Sequence, residues 1–274
     1  MQLCKKFSLM ESLRVESKRS MISKLFLNLR SSNPVIYGSL MLFLARSLIS
    51  ALLIVFTDQQ VLGINAWIKP FKFWISSVIF VGSIALYLQH LENQRAVKIY
   101  SWVVALVLAF EVFYISIQAS LGELSHFNDS SAFHHFMFSL MGIAISILTL
   151  WTLYIAYLFF KSPLKEMNPS MKWAIRIGLI LFVIFAFEGG LMGAMMSHTV
   201  GGNDGGPGIP FFNWSILYGD LRIAHFVGMH ALQVLPIAAL FIKSKASIIS
   251  LGMLYFILAI AVLYIALQGV PILS

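Results

Sequence analysis

Seven long apolar stretches, at residues 35–57, 71–91, 99–120, 136–160, 172–197, 223–242 and 247–268, leave this chain few folds to choose from. A helix needs about 20 predominantly apolar residues to cross a bilayer, and these runs reach that length. In hydrocarbon every backbone N–H and C=O must be satisfied inside the protein, so a spanning segment is a helix or a strand of a closed barrel. The runs lack the short alternating pattern of barrel strands and read as helices. Composition agrees, since 59% of the 274 residues are hydrophobic and 11% charged, against roughly 25% charged in soluble domains. A soluble enzyme, a disordered tail and a coiled coil are excluded. A single cysteine, Cys4, excludes an internal disulfide framework and any cysteine-rich zinc or iron–sulfur site.

The expected fold is therefore all-α, a polytopic membrane protein with a seven-helix transmembrane bundle over 34–274 and a basic leader over 1–33. Fifteen of the 19 basic residues fall in the leader and in or beside the even-numbered connections, leaving Arg46, Lys69, Lys72 and Arg222 for the spans or the opposite side. Basic residues stay cytoplasmic, which places the N-terminus inside and, after seven crossings, the C-terminus outside. The net charge of +8 is then a topology signal; nucleic-acid binding is the weaker reading, because no folded basic domain presents these groups. Ile22, Leu25, Phe26 and Leu29 recur at helical spacing opposite Lys24 and Arg30, so a helix over 21–30 is expected on the anionic inner leaflet, a disordered basic leader being the alternative. No cleaved signal peptide and no internal repeat is read in the chain.

With this topology, six of the seven histidines gather in or beside the three outer connections, at 58–70, 121–135 and 198–222. His126, His135, His198 and His225 are the expected ligands of a transition metal (copper, zinc or iron) or of a heme, because imidazole suits all of these. The bland alternative for each is a hydrogen-bonded packing residue. His225 and His230 are five apart, which turns them roughly 140° from each other on a helix, so they form no zincin pair. Met192, Met195 and Met196 precede His198 and could add soft ligands, or serve as filler beside a close glycine contact at 189–193. His135, Ser139, Gly142 and Ser146 share a small face suited to packing on a neighbouring helix.

Charges inside the spans carry the remaining chemistry. Arg46, Glu111 and Glu188 lie within apolar runs, where an ionised group costs about 2.5 to 3.5 kcal/mol on insertion scales. Arg46 is expected to pair with one glutamate, leaving the other for proton chemistry; Glu111 and Glu188 are thus the candidate acid–base residues. Glu111, Tyr114 and Gln118 form a polar stripe rising to the 122–128 loop. Lys69, Lys72 and Arg222 start two helices at one depth and could hold an anionic substrate, a lipid phosphate or heme propionates, or act as snorkelling anchors. Residues 199–210, with five glycines and two prolines, read as a folded lid or a rigid interface turn.

The blocks Lys69-Pro70-Phe71-Lys72-Phe73, Ser125-His126-Phe127-Asn128 and His198-Thr199-Val200 through Asp204-Gly205-Gly206-Pro207-Gly208 to Gly219-Asp220-Leu221-Arg222-Ile223-Ala224-His225-Phe226 resemble a group of uncharacterised bacterial seven-helix inner-membrane proteins. The resemblance covers most of 35–270 and implies a bacterial inner-membrane, multi-pass setting; it brings no activity with it. Retinal-binding rhodopsins need a lysine in the last span, and 247–268 has none. Membrane ceramidase-like hydrolases need histidines in the final helix, also missing here.

Three functions follow as expectations. The first is an outward-facing histidine-based metal or heme site for redox or metal-dependent chemistry on a small or lipid-soluble substrate. The second is a proton-coupled transporter or small-solute binding protein, and the third a structural subunit of a membrane complex.

Overall fold

The computed structural model describes residues 26–164 and 166–272. Seven helices are long and apolar enough to cross a membrane: α1 Pro34–Phe56, α2 Ile68–Leu88, α3 Gln94–Leu121, α4 Ala132–Lys161, α5 Pro169–Met195, α6 Leu221–Phe241 and α7 Lys245–Leu267. The chain is a membrane-embedded all-α protein. Residues 26–32 are also helical, while the rest of the surface helix expected over 21–30 lies outside the described residues.

Most helices begin one to five residues before the apolar run that announces them, and capping is the reason. Asn33, Asn93, Ser131, Asn168, Asp220 and Ser244 each accept a hydrogen bond from a first-turn backbone N–H, satisfying donors that the helix itself cannot. Pro34 and Pro169 follow two of these caps, where the missing N–H does no harm. Hydropathy sees the greasy body of the helix and not the polar residue that starts it.

The main core lies among α1 to α5, where Phe43, Trp74, Ile84, Tyr100, Ile155 and Phe159 are fully buried. A second cluster, including Ala174, Leu181, Ala231, Leu235 and Ile248, joins α5, α6 and α7. The α5–α6 seam is tight: a Cβ on Gly228 would overlap the Phe185 ring at 1.9 Å. Small residues let membrane helices approach in this way. The stripe His135, Ser139, Gly142 and Ser146 does not do so, for His135, Ser139 and Gly142 are exposed and no atom lies within 4 Å of a Cβ built on Gly142. Among the described residues that face meets no helix.

Polar groups inside the bundle are matched across helices. Trp74 Nε1 donates to Ser116 Oγ, and the Tyr100 and Thr152 hydroxyls meet at 2.8 Å. Pro236 interrupts α6, and a proline leaves the carbonyl four residues earlier without its helical donor. The Tyr87 hydroxyl of α2 donates to that carbonyl, Leu232 O, at 2.6 Å.

One end of the bundle carries the connections 57–67, 122–131 and 196–220, with six histidines in or toward it; the other carries most of the described basic residues. The first is called the histidine end and the second the basic end. Two small antiparallel pairs stiffen the histidine end: β1 Gln60–Val61 with β2 Ile64–Asn65, and β3 Thr199–Val200 with β4 Gly219–Asp220. Between β3 and β4 the chain folds on itself, with Gly208 bridged to Ser215 and Ile216 N donating to Pro207 O. This glycine-rich stretch is a folded cap. Phe211 meets Phe71 at 5.9 Å, and Trp214 meets Phe226 at 5.4 Å, seating the cap on α2 and α6.

Candidate functional site at the histidine end

The ion pairs among the described residues are His198–Asp204, Arg222–Asp220 and His225–Glu188. Arg46 belongs to none, which corrects the expectation that it pairs with Glu111 or Glu188. Its guanidinium instead stands 5.1 Å from the Phe113 ring centroid and 5.8 Å from that of Trp74. A guanidinium is weakly hydrated and binds aromatic faces, so the rings supply what a carboxylate was expected to supply. Glu111 is 7% exposed, and its Oε1 has no hydrogen-bond partner. It sits on the expected buried stripe with Tyr114 and Gln118, whose Nε2 donates to Leu124 O in the 122–131 loop.

Glu188 and His225 face each other across the α5–α6 seam, Nδ1 to Oε2 at 3.3 Å. Both Glu188 oxygens and His225 Nδ1 are shielded from solvent without an aligned hydrogen bond. The contact is one of charge and proximity. Gly189 makes room for it, since a Cβ there would stand 2.7 Å from His225 Cε1. At 1.5 Å rise per residue, Glu188 lies about 10 Å below the α5 terminus and His225 about 6 Å below the start of α6. His225 is thereby committed to a carboxylate and is not gathered with other histidines as a ligand.

Just above, Arg222 on α6 grips Asp220 through Nε and Nη2 and also donates to Asn213 O. Asp220 is fully buried, caps α6 and accepts from Ser215 N. Arg222, expected to hold an anion, therefore holds the cap. Lys72 Nζ donates to the Phe211 and Phe212 carbonyls. Lys69 is half-buried, with Arg222, Lys72 and Asp204 as its charged neighbours. No carboxylate lies within pairing distance of Lys69 or Lys72 among the described residues. The three cations converge as expected, but in divided roles, two bonding to the cap and Lys69 making no side-chain hydrogen bond or ion pair among the described residues.

His126 and His198 border the same cluster. Burial, then Lys69 and His198, hold the His126 imidazole well below its ordinary value of 6.5, so it is neutral at physiological pH. Ser125 Oγ lies 3.1 Å from its Nδ1, and Phe73, Phe127 and Phe138 surround the ring at 5.7 to 6.2 Å. His198 Nδ1 pairs with Asp204 Oδ1 at 2.9 Å. Burial disfavours the Asp204 charge, but bonds from His198, Thr199 and Ser197 win and hold that carboxyl well below the usual carboxylate range. The phenyl ring of Phe127 lies 6.2 Å from both imidazoles.

Among the described residues, no group of three or more His, Cys, Asp and Glu side chains could hold a metal ion. The expected ligands are dispersed for physical reasons: His225 is drawn to Glu188, His198 to Asp204, and His135 is exposed at the start of α4. Met195 and Met196 are exposed and Met192 is buried, so no methionine set completes one.

Sequence reasoning did not anticipate Asp204 as the His198 partner, nor the aromatic cradle of Arg46. On α6, His230 Nδ1 meets Gln233 Oε1 at 3.2 Å and Gln233 Nε2 donates to Ser83 Oγ of α2. No family model matches the chain, and no curated protein or solved structure matches it.

Proposed function

We propose that the chain is a membrane carrier for a small anionic solute, received beside Lys69 and coupled to proton binding at the Glu188–His225 pair. The pair supports this reading above all, because ionisable side chains inside a membrane segment mark ion or proton paths by default. Two protonatable groups at 3.3 Å without an aligned hydrogen bond are poised to change partners when a proton arrives. Lys69 supplies the solute class, being a basic amine with no carboxylate paired to it among the described residues, beside a neutral His126 able to give or take a hydrogen bond. Coupling follows from Coulomb attraction: an anion near Lys69 favours an extra proton on the pair one helical turn below Arg222, and by reciprocity the proton favours the anion. With the topology expected from the basic residues, this end faces outward and solute enters from outside.

The test is a thermal-shift screen of the full-length protein in detergent with phosphate, sulfate, acetate and succinate, between pH about 5 and 8 where histidine titrates. At least one anion raises the melting temperature, more at the acid end. Lys69→Met abolishes that shift, whereas Glu188→Gln keeps it and removes its pH dependence. A protein indifferent to every anion, or an acid-enhanced shift that survives Glu188→Gln, overturns the reading.

A second reading rests on the proximity of His126 and His198, which could serve a transition metal or the iron of a heme, with redox or metal-dependent chemistry on a small or lipid-soluble substrate. Elemental analysis and a Soret absorbance band on purified protein test it. Stoichiometric metal or heme, lost on His126→Ala with the fold intact, would displace the carrier reading.

A further inference from the structure

A groove of about 470 Å3 opens at the basic end of the bundle, between residues 26–33, the last turns of α2 and the first turn of α3. Its walls are apolar, from residues such as Leu40, Val78 and Ala85, and its rim is polar, with Asn28, Gln89 and Gln94. Gly82 forms part of the wall, and a Cβ built there meets no atom within 4 Å, so the space is real at that point. Arg30, Arg95 and Lys98 are exposed, each next in the chain to a residue of the groove, Leu29, Gln94 and Val97 respectively. Glu92 is the single acid in the segments 26–33 and 89–98, leaving three cations against one carboxylate.

We propose that this groove is a binding site for one anionic diacyl phospholipid, an acyl chain lying along the apolar walls and the headgroup phosphate among Arg30, Arg95 and Lys98. Apolar walls at the end of a transmembrane bundle suit a hydrocarbon chain, and a polar rim whose residues are flanked in the chain by three exposed cations suits a phosphate. Basic pockets between transmembrane helices recognise anionic headgroups by this combination of charge and shape. The charge at the rim selects an anionic lipid over a zwitterionic one. The site stands at the opposite end of the molecule from Lys69 and does not depend on the carrier reading.

The experiment uses delipidated full-length protein in detergent, with phosphatidylglycerol or phosphatidylcholine of matched chains added back. Phosphatidylglycerol raises the melting temperature by several degrees more than phosphatidylcholine, and native mass spectrometry retains one phosphatidylglycerol per chain. The triple change Arg30→Gln, Arg95→Gln and Lys98→Gln, all at exposed positions, removes that difference while leaving the phosphatidylcholine response. Gly82→Leu fills the groove and removes the retained lipid. Equal responses to the two lipids, a preference that survives the triple change, or a groove that proves closed by a second copy of the chain on cross-linking would each overturn the proposal.

Discussion

At the scale of single residues, three polar groups of the bundle meet partners of unlike chemistry. Arg46 rests on rings, His198 on a carboxylate, and the carbonyl freed by Pro236 on a phenol. The last predicts a coupling. Tyr87→Phe leaves Leu232 O buried and unbonded and costs about 1 to 3 kcal/mol, measured by unfolding in detergent. Pro236→Ala restores the backbone donor, so Tyr87→Phe costs markedly less in that background, and the double-mutant cycle reads the difference. His126 predicts a pH effect. Its folded form resists protonation below the ordinary value of 6.5, with Lys69 and His198 opposing the charge, so the unfolded chain binds the proton first and stability falls as pH drops through 6.5. His126→Phe flattens melting temperature against pH between about 5 and 6.5. Part of this was legible beforehand. A proline inside a span announces an orphan carbonyl four residues back, but the donor sits 145 residues away and no local pattern points to it. Glu188 and Glu111 were readable as buried acids from their apolar surroundings. Which of them would meet a base depended on the rotation of α5 against α6, which spacing along one helix does not contain.

At the scale of elements, the seven spans were legible because hydrocarbon imposes both length and helicity on them, and six of their starts shifted where Asn, Ser or Asp caps extended the helix into polar sequence, α2 alone starting early without such a cap. Packing between helices was less so. The Gly189 to Gly193 stretch suggested a close contact, and Gly189 makes one with His225, whereas Gly190 meets nothing. Glycine signals that a helix can approach, and the neighbour's bulk decides whether it does. Gly228 is the sharpest case. Gly228→Ala drives a methyl into the Phe185 ring and destabilises the α5–α6 seam by about 1 to 3 kcal/mol. Phe185→Leu in the same chain recovers part of the loss, as measured by unfolding in detergent. Neither change alters the melting temperature increment that phosphatidylglycerol gives at the far end of the bundle.

At the scale of the whole molecule, the sequence orders charge along the bundle axis. Lys161, Lys172, Lys243 and Lys245 lie at the basic end, and the described histidines apart from His90 collect toward the other. The positive-inside rule leads to the expectation that the basic end faces the cytoplasm, and the chain's single cysteine gives a direct assay. Cys4 in intact cells resists a membrane-impermeant maleimide and reacts after permeabilisation, while a cysteine placed at Ser130 in a Cys4→Ser background reacts in intact cells. The reverse labelling pattern would invert the assignment of entrance and exit. One detail of the histidine end governs how such a carrier can work. Asp220 belongs at once to β4, to the first turn of α6 and to the grip of Arg222. Asp220 thus joins the cap to α6, and His225 stands about one turn farther along the same helix, opposite Glu188. On the proposed carrier reading, a movement of the cap is carried to the Glu188–His225 contact through that one residue.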